Sequence, residues 1–121
     1  DVKLEILEKS IELYDRNRPI GHLPKVKLVK GNALQTIPEY FTEHPYVIVA
    51  MLYIDFDLYE STKMAIKTIL PRMTKGAILA FGGIGEQMPR GETAALLEEL
   101  DINKYEIKNF PEEPHISYIT M

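Results

Sequence analysis

The chain contains one strongly apolar run, Tyr46–Ile54, which is followed at once by the carboxylates Asp55 and Asp57. The run is too short to cross a membrane, and its branched and aromatic residues favour a strand that is buried on both faces. A helical pattern begins directly after the two acids. In open α/β sheets, ligands bind outside the carboxyl ends of the strands. We therefore expect this end of the strand to be the functional edge of the protein.

The residues before this strand predict a helix, a strand and a second helix. Asp1–Asn17 has an amphipathic pattern, and Pro19 ends it because the residue before a proline avoids helical backbone angles. Lys25–Lys30 alternates apolar and basic residues, which favours a less buried strand. The turn at 31–33 leads into a short helix over Leu34–Thr42.

The residues after the central strand predict a helix, a second buried strand and another helix. The first helix covers Glu60–Met73, and Gly76 closes it in the usual C-terminal way. Ala77–Phe81 has the apolar pattern of a buried strand. The next helix runs from about Glu92 to Leu100.

The last part of the chain predicts an antiparallel hairpin. Apolar and polar residues alternate in Tyr105–Phe110 and again in His115–Thr120. Between the two runs, Pro111–Pro114 forms a short turn. The expected fold class is therefore α/β, with a mostly parallel sheet that ends in an antiparallel hairpin. At 121 residues the chain is large enough for one domain, 1–121.

Composition excludes several classes of protein. The 45% hydrophobic and 26% charged content is that of an ordinary globular chain. The net charge of -4 argues against a nucleic-acid-binding surface, which is expected to be basic. The chain has no cysteine, so it forms no disulfide and no thiolate metal site. It contains neither a secretory signal nor a membrane-length apolar run, so a cytoplasmic protein that binds no membrane is the default prediction.

Three strings carry a family resemblance: LYIDFDLYESTK, LPRMTKGAILAF and PRGETAALLEEL. Together with HLPKVKLVKGNALQTIP and PEEPHISYI, they resemble the C-terminal part of the macrocin O-methyltransferase family. The resemblance implies a Rossmann-like fold whose last strand runs antiparallel at the far edge of the sheet. It also implies S-adenosylmethionine as the cofactor and a sugar-like hydroxyl on a small-molecule acceptor.

The resemblance further implies that this chain is an incomplete methyltransferase domain. It covers the family from the helix after the second strand onward, so the N-terminal cofactor-binding strands are missing, and we expect the chain alone to be inactive. The strand Tyr46–Ile54 would then have an open edge, which either pairs with Lys25–Lys30 within the chain or packs against a second copy, and we expect a homodimer. The alternative function is a non-catalytic remnant of the fold that acts through self-association.

Asp55 is the leading candidate for chemistry. A metal ion held by carboxylates would lower the pKa of an acceptor hydroxyl and fix its position. The family resemblance assigns Mg²⁺ to the position of Asp55 and to a pair of acids after the next strand. This chain has Gly82 and Gly83 there, which leaves a weak Mg²⁺ site unless the nearby Glu86 substitutes. The alternative for Asp55 is that it satisfies backbone amides at the strand end.

The other candidates have strong structural alternatives. Asp57 is a catalytic candidate that would support Asp55 or bind a substrate hydroxyl, although capping the next helix explains it as well. The resemblance places Asn32 and Ala33 against the adenine of the cofactor, whereas the sequence alone also fits a plain turn. His115 is a minor candidate for a base. Because no helix begins directly behind the glycines at 83 and 85, we reject a dinucleotide loop.

Overall fold

The computed structural model describes residues 1–56, 58–84 and 91–121. The chain forms two compact units, Asp1–Lys30 and Gly31–Met121. None of the helices in these described ranges is both long and apolar enough to span a membrane.

The first unit is built on helix α1, Val2–Arg16, which confirms the first helix of the sequence analysis. The Asp1 side chain caps it by accepting a hydrogen bond from the Lys3 amide at 3.0 Å. The predicted strand Lys25–Lys30 is wrong: these residues form no strand and are exposed throughout. A strand is held by hydrogen bonds to a neighbour, and no described strand pairs with this segment.

The second unit contains a four-stranded sheet in the order β1-β2-β4-β3. The strands are β1 (Val49–Ile54), β2 (Met73–Phe81), β3 (Ile107–Phe110) and β4 (Glu113–Thr120). β1 and β2 are parallel, and β4 is antiparallel to both β2 and β3. This arrangement confirms the α/β class with a C-terminal antiparallel hairpin.

The resemblance implied that the last strand lies at the far edge of the sheet, and this expectation is wrong. β4 lies between β2 and β3, so β3 is the edge. Burial explains the order, because Ile119 of β4 is fully buried opposite Leu79 whereas every residue of β3 is exposed. The more apolar strand therefore takes the interior position.

Three helices complete the second unit, and a single apolar core joins them to the sheet. The helices are α2 (Ala33–Glu43), α3 (Tyr59–Ile69) and α4 (Gly91–Glu99), with short 3₁₀ turns at Leu70–Arg72 and Ile102–Lys104. Ile54, Ile66, Leu79, Phe81 and Leu96 are completely or almost completely buried in the core. Each such side chain contributes roughly 1.5–3 kcal/mol by leaving water.

β1 is not buried on both faces, which corrects the sequence expectation. Met51 and Tyr53 are 59% and 47% exposed, whereas Ile54 is fully buried. The core packs against one face of the sheet, and no described element covers the other face along these residues. The apolar run Tyr46–Ile54 therefore reflects a strand with one buried face and one apolar, open face.

The end of α3 also differs from its prediction. The helix ends at Ile69, and the Pro71 ring accompanies the change to a 3₁₀ turn. Gly76, expected as the helix terminator, lies inside β2 with a φ of 93°, where the pairing of β1 with β2 is irregular. Its amide donates a hydrogen bond of 2.6 Å to the Met121 carbonyl. Glycine suits this position because a left-handed φ strains other residues.

Candidate functional site

The parallel pairing of β1 and β2 brings their carboxyl ends together. Ile54 pairs with Phe81, and the Gly82 amide donates a hydrogen bond of 3.0 Å to the Ile54 carbonyl. Asp55 and Gly82 therefore lie side by side at the edge where open α/β sheets bind ligands. This confirms that Asp55 stands at the carboxyl end of the strand.

Gly82 is in close contact with two side chains of β1 and its C-terminal extension. A β-carbon at position 82 would lie 2.4 Å from Asp55 Oδ1 and 3.0 Å from the Tyr53 hydroxyl oxygen. These approaches are shorter than van der Waals contact, so only glycine leaves both side chains where they are. The Asp55 carboxylate occupies the space that a side chain at position 82 would need.

Tyr53 is the site residue that sequence reasoning missed. Partial burial, followed by the negative charges of Asp55, Glu92 and Glu113, raises the pKa of Tyr53 above its ordinary value of 10.0. The phenol therefore stays protonated and can donate a hydrogen bond at neutral pH. The signal for Tyr53 in the sequence was its position two residues before Asp55, because residues two apart on a strand point to the same face.

Two further residues lie at the start of α4, within the string PRGETAALLEEL that carries part of the family resemblance. A β-carbon on Gly91 would lie 2.1 Å from the backbone nitrogen of Tyr59, so glycine lets α4 begin against the first turn of α3. The next residue, Glu92, is fully buried. Its negative charge is one of the smaller causes of the raised pKa of Tyr53.

An apolar trough on the open face of the sheet runs up to Tyr53. It has a volume of about 350 Å³, and all four strands contribute to its lining. Phe110 and Tyr118 stack within it, with ring centroids 5.0 Å apart. Tyr53 lines the trough and also approaches Gly82, so it connects this surface to Asp55.

The described residues do not fit the Mg²⁺ site that the family resemblance implies. Among residues 1–56, 58–84 and 91–121, no group of three acidic or histidine side chains is arranged to hold a metal ion. Gly82 and Gly83 provide no ligand, and the Asp55 carboxylate fills the space over Gly82. Asp57 and Glu86, the remaining candidates of the sequence analysis, lie outside the described residues.

Asn32 has a structural role in this fold. Its side chain accepts a hydrogen bond of 3.1 Å from the Leu34 amide and so caps α2, while Ala33 is the first helical residue. Both residues lie at the helix start, and the adenine contact stays a prediction. The role of His115, an exposed residue of β4, as a base also stays a prediction.

Known structures give a close match to this arrangement. No protein-family model and no curated protein matches the chain. The apo structure of CalS11, a TDP-rhamnose 3'-O-methyltransferase of calicheamicin biosynthesis, matches 96% of this chain with a TM-score of 0.88 and 30% identity. The fold is that of part of a methyltransferase.

A second crystal structure of CalS11, described as a calicheamicin methyltransferase, agrees with the first. It also matches 96% of this chain with a TM-score of 0.88 and 30% identity. The chain covers 50% and 46% of the two CalS11 chains, so it spans about half the length of these methyltransferases. Both matches support a methyltransferase family in general, for which S-adenosylmethionine is the usual cofactor.

Proposed function

We propose that this chain is part of an S-adenosylmethionine-dependent O-methyltransferase of the macrocin type, whose complete form methylates a hydroxyl on a sugar-like acceptor. The observation that carries the proposal is the likeness to CalS11 over nearly the whole of this chain at 30% identity. S-adenosylmethionine supplies the methyl group when bound. Asn32 and Ala33 are the residues proposed to lie near its adenine, and Asp55 the residue proposed to contact the acceptor hydroxyl.

The proposed role of Asp55 follows from its position and charge. A carboxylate accepts a hydrogen bond from an acceptor hydroxyl and thereby orients its oxygen. Asp57 is proposed to assist Asp55 as a second carboxylate. We derive no catalytic step through Mg²⁺, because the described donors do not fit it.

A chimera tests this function. The half of CalS11 that aligns with this chain is replaced by residues 1–121, and labelled S-adenosylmethionine is supplied with TDP-rhamnose, the acceptor in the name of CalS11. We expect the label to appear in the sugar and an Asp55→Asn version to transfer it at least tenfold more slowly. A folded chimera that neither binds the cofactor nor transfers the label contradicts the proposal.

A second candidate function is a non-catalytic remnant that acts through self-association. The glycines at positions 82 and 83 favour it, as does the edge position of β1 among the described strands. A chimera that binds S-adenosylmethionine but transfers no methyl group, together with a stable dimer of the chain itself, supports this second candidate.

A further inference from the structure

The carboxyl ends of β1 and β2 are held at a fixed separation. Ile54 pairs with Phe81, and the Gly82 amide donates a hydrogen bond of 3.0 Å to the Ile54 carbonyl. The side chains of Ile54 and Phe81 are both fully buried in the core. Closely packed interiors resist displacement, so Asp55 and Gly82 cannot move apart without disturbing the sheet and the core.

At this separation, the Asp55 carboxylate and any side chain at position 82 compete for the same volume. A β-carbon on Gly82 would lie 2.8 Å from Asp55 Cγ and closer still to Asp55 Oδ1, nearer than real β-carbons approach other atoms. The conformation of Asp55 is therefore one that glycine at position 82 permits. The family resemblance implies acids at positions 82 and 83, so an Asp55 that shared a metal ion with them would have to adopt another conformation.

The ligands that remain at this edge do not suffice for a divalent ion. Mg²⁺ gives up its waters reluctantly and needs oxygen ligands in near-ideal octahedral geometry. Among the described residues, no three acidic or histidine side chains are grouped to hold a metal ion. Gly82 and Gly83 supply no side-chain oxygen, which leaves Asp55 of the three positions that the resemblance assigns to the metal. We expect such a site to bind Mg²⁺ with a Kd of about 1 mM or weaker.

The glycines also suit an edge that carries no cation. Carboxylates that are crowded together without a metal ion repel one another, and the repulsion raises their pKa values. Gly82 and Gly83 remove this repulsion, because neither has a charged side chain. An edge with Asp55 and without the two acids is therefore the arrangement expected where no ion binds.

We propose that this edge has lost divalent-metal binding because glycines occupy positions 82 and 83, and that a methyltransferase containing this chain works without a divalent metal ion. The first part concerns the chain itself, whereas the second part rests on the proposed function. Both parts depart from the Mg²⁺ site that the family resemblance implies. Asp55 is then a carboxylate that acts without a bound ion.

A titration of the chain itself with Mn²⁺ tests the first part. Mn²⁺ prefers the same oxygen ligands as Mg²⁺, and its unpaired electrons broaden the NMR resonances of nearby amides. We expect the amides of Asp55 and Gly82 to broaden no more steeply with Mn²⁺ than the amide of Glu39, an exposed carboxylate on α2. The double variant Gly82→Asp/Gly83→Asp should bind Mn²⁺ at this edge about tenfold more tightly or better, and adding Asp55→Asn should reverse the gain.

The matched control is Gln35→Glu, which adds a carboxylate one helical turn from Glu39 and should change Mn²⁺ affinity by less than about twofold. Backbone amide spectra show whether each variant keeps the fold. The first part fails if the unmodified chain binds Mn²⁺ below about 0.1 mM and Asp55→Asn abolishes that binding. It also fails if the folded double variant gains no more affinity than the control.

The CalS11 chimera tests the second part. We expect its rate of methyl transfer to be the same within about twofold in EDTA and in Mg²⁺. Transfer that EDTA abolishes and Mg²⁺ restores overturns the second part. A chimera that binds no S-adenosylmethionine, or that transfers no label in either solution, refutes the proposed function and the second part with it. The Mn²⁺ titration of the chain still decides the first part.

Discussion

Gly82 and Gly91 both permit close contacts, but the contacts differ in kind. A β-carbon at Gly82 would meet the ends of two side chains, whereas one at Gly91 would meet the backbone of α3. Side-chain ends rotate away at little cost, while backbone moves only when packed elements shift. Gly82 therefore leaves room for two side chains of the site, whereas Gly91 leaves room for the close packing of α4 against α3.

Gly82→Ala should change the site more than the stability. We expect the free energy of unfolding to change by less than about 1 kcal/mol, because Asp55 and Tyr53 can turn toward solvent. Their separation should lower the pKa of Tyr53 toward its ordinary value, since Asp55 is one cause of the rise. Urea unfolding and an NMR titration of the labelled Tyr53 ring measure the two effects. An unchanged pKa of Tyr53 would show that Asp55 does not act on it through this contact.

Between elements, α3 and α4 are joined by packing where both helices begin and by charge at Glu98, in the last turn of α4. Gly91 fits against Tyr59, and the Tyr59 hydroxyl donates a hydrogen bond to Glu98. The Lys63 ammonium donates to the same carboxylate at 3.0 Å and to the Tyr59 hydroxyl at 3.1 Å. Tyr59 therefore helps to hold α3 and α4 together.

Gly91→Ala should destabilise the protein. The added methyl group meets the Tyr59 backbone and forces α3 and α4 apart, which costs about 1–3 kcal/mol as overpacking does elsewhere. Urea unfolding followed by circular dichroism measures the loss. Gly82→Ala serves as the matched control, and an equal effect of the two changes would refute the distinction between them.

The hydrogen-bonded cluster of Glu98, Tyr59 and Lys63 predicts how the stability of the protein responds to acid. The hydrogen bonds from Tyr59 and Lys63 lower the pKa of Glu98 from its ordinary value of 4.5. A carboxyl whose pKa falls on folding stabilises the native state above the unfolded pKa, and this contribution is lost as pH falls through the folded pKa. Glu98→Gln should therefore flatten the loss of stability below about pH 4.5.

Urea unfolding between pH 3 and 7 measures this slope. Glu39→Gln, at an exposed position of α2, is the matched control and should keep the slope of the unmodified chain. If the free energy of unfolding of Glu98→Gln changes with pH in parallel with that of Glu39→Gln, the hydrogen bonds to Glu98 do not form in solution.

The sequence predicted the elements whose patterns are local. Helix α1, the strand before Asp55 and the C-terminal hairpin were each marked by periodicity, turns or caps close in the chain. Lys25–Lys30 was mistaken for a strand because alternation describes a side-chain pattern and says nothing about an available partner. The position of β4 between β2 and β3 is likewise a long-range outcome that alternation does not encode.

The site was predictable only in part for the same reason. Asp55 stood out because a carboxylate after a buried strand is a local pattern. The contact of Tyr53 with Gly82 depends on the register between β1 and β2, which pairs Ile54 with Phe81. No local pattern fixes that register, so the contact of Tyr53 with Gly82 became visible only in the fold.

At the scale of the whole molecule, β1 has a strand neighbour on one side among the described residues. Unpaired backbone groups at such an edge invite pairing with another chain. We propose that the chain associates with itself through this edge, and sedimentation at micromolar concentration should show a dimer or larger species. Ala50→Lys, which places a charge on the exposed part of β1, should shift the population toward monomer. A stable monomer of the unmodified chain would contradict the proposal.

Cofactor binding tests the proposal that these residues form part of a methyltransferase. Calorimetry compares the 121-residue chain with the CalS11 chimera, each titrated with S-adenosylmethionine. The chimera should give saturable heat at micromolar cofactor. The chain alone should give none, because every 1.4 kcal/mol of missing contacts costs about tenfold in affinity. A folded chimera that gives no heat, or micromolar binding by the chain alone, would contradict the proposed function.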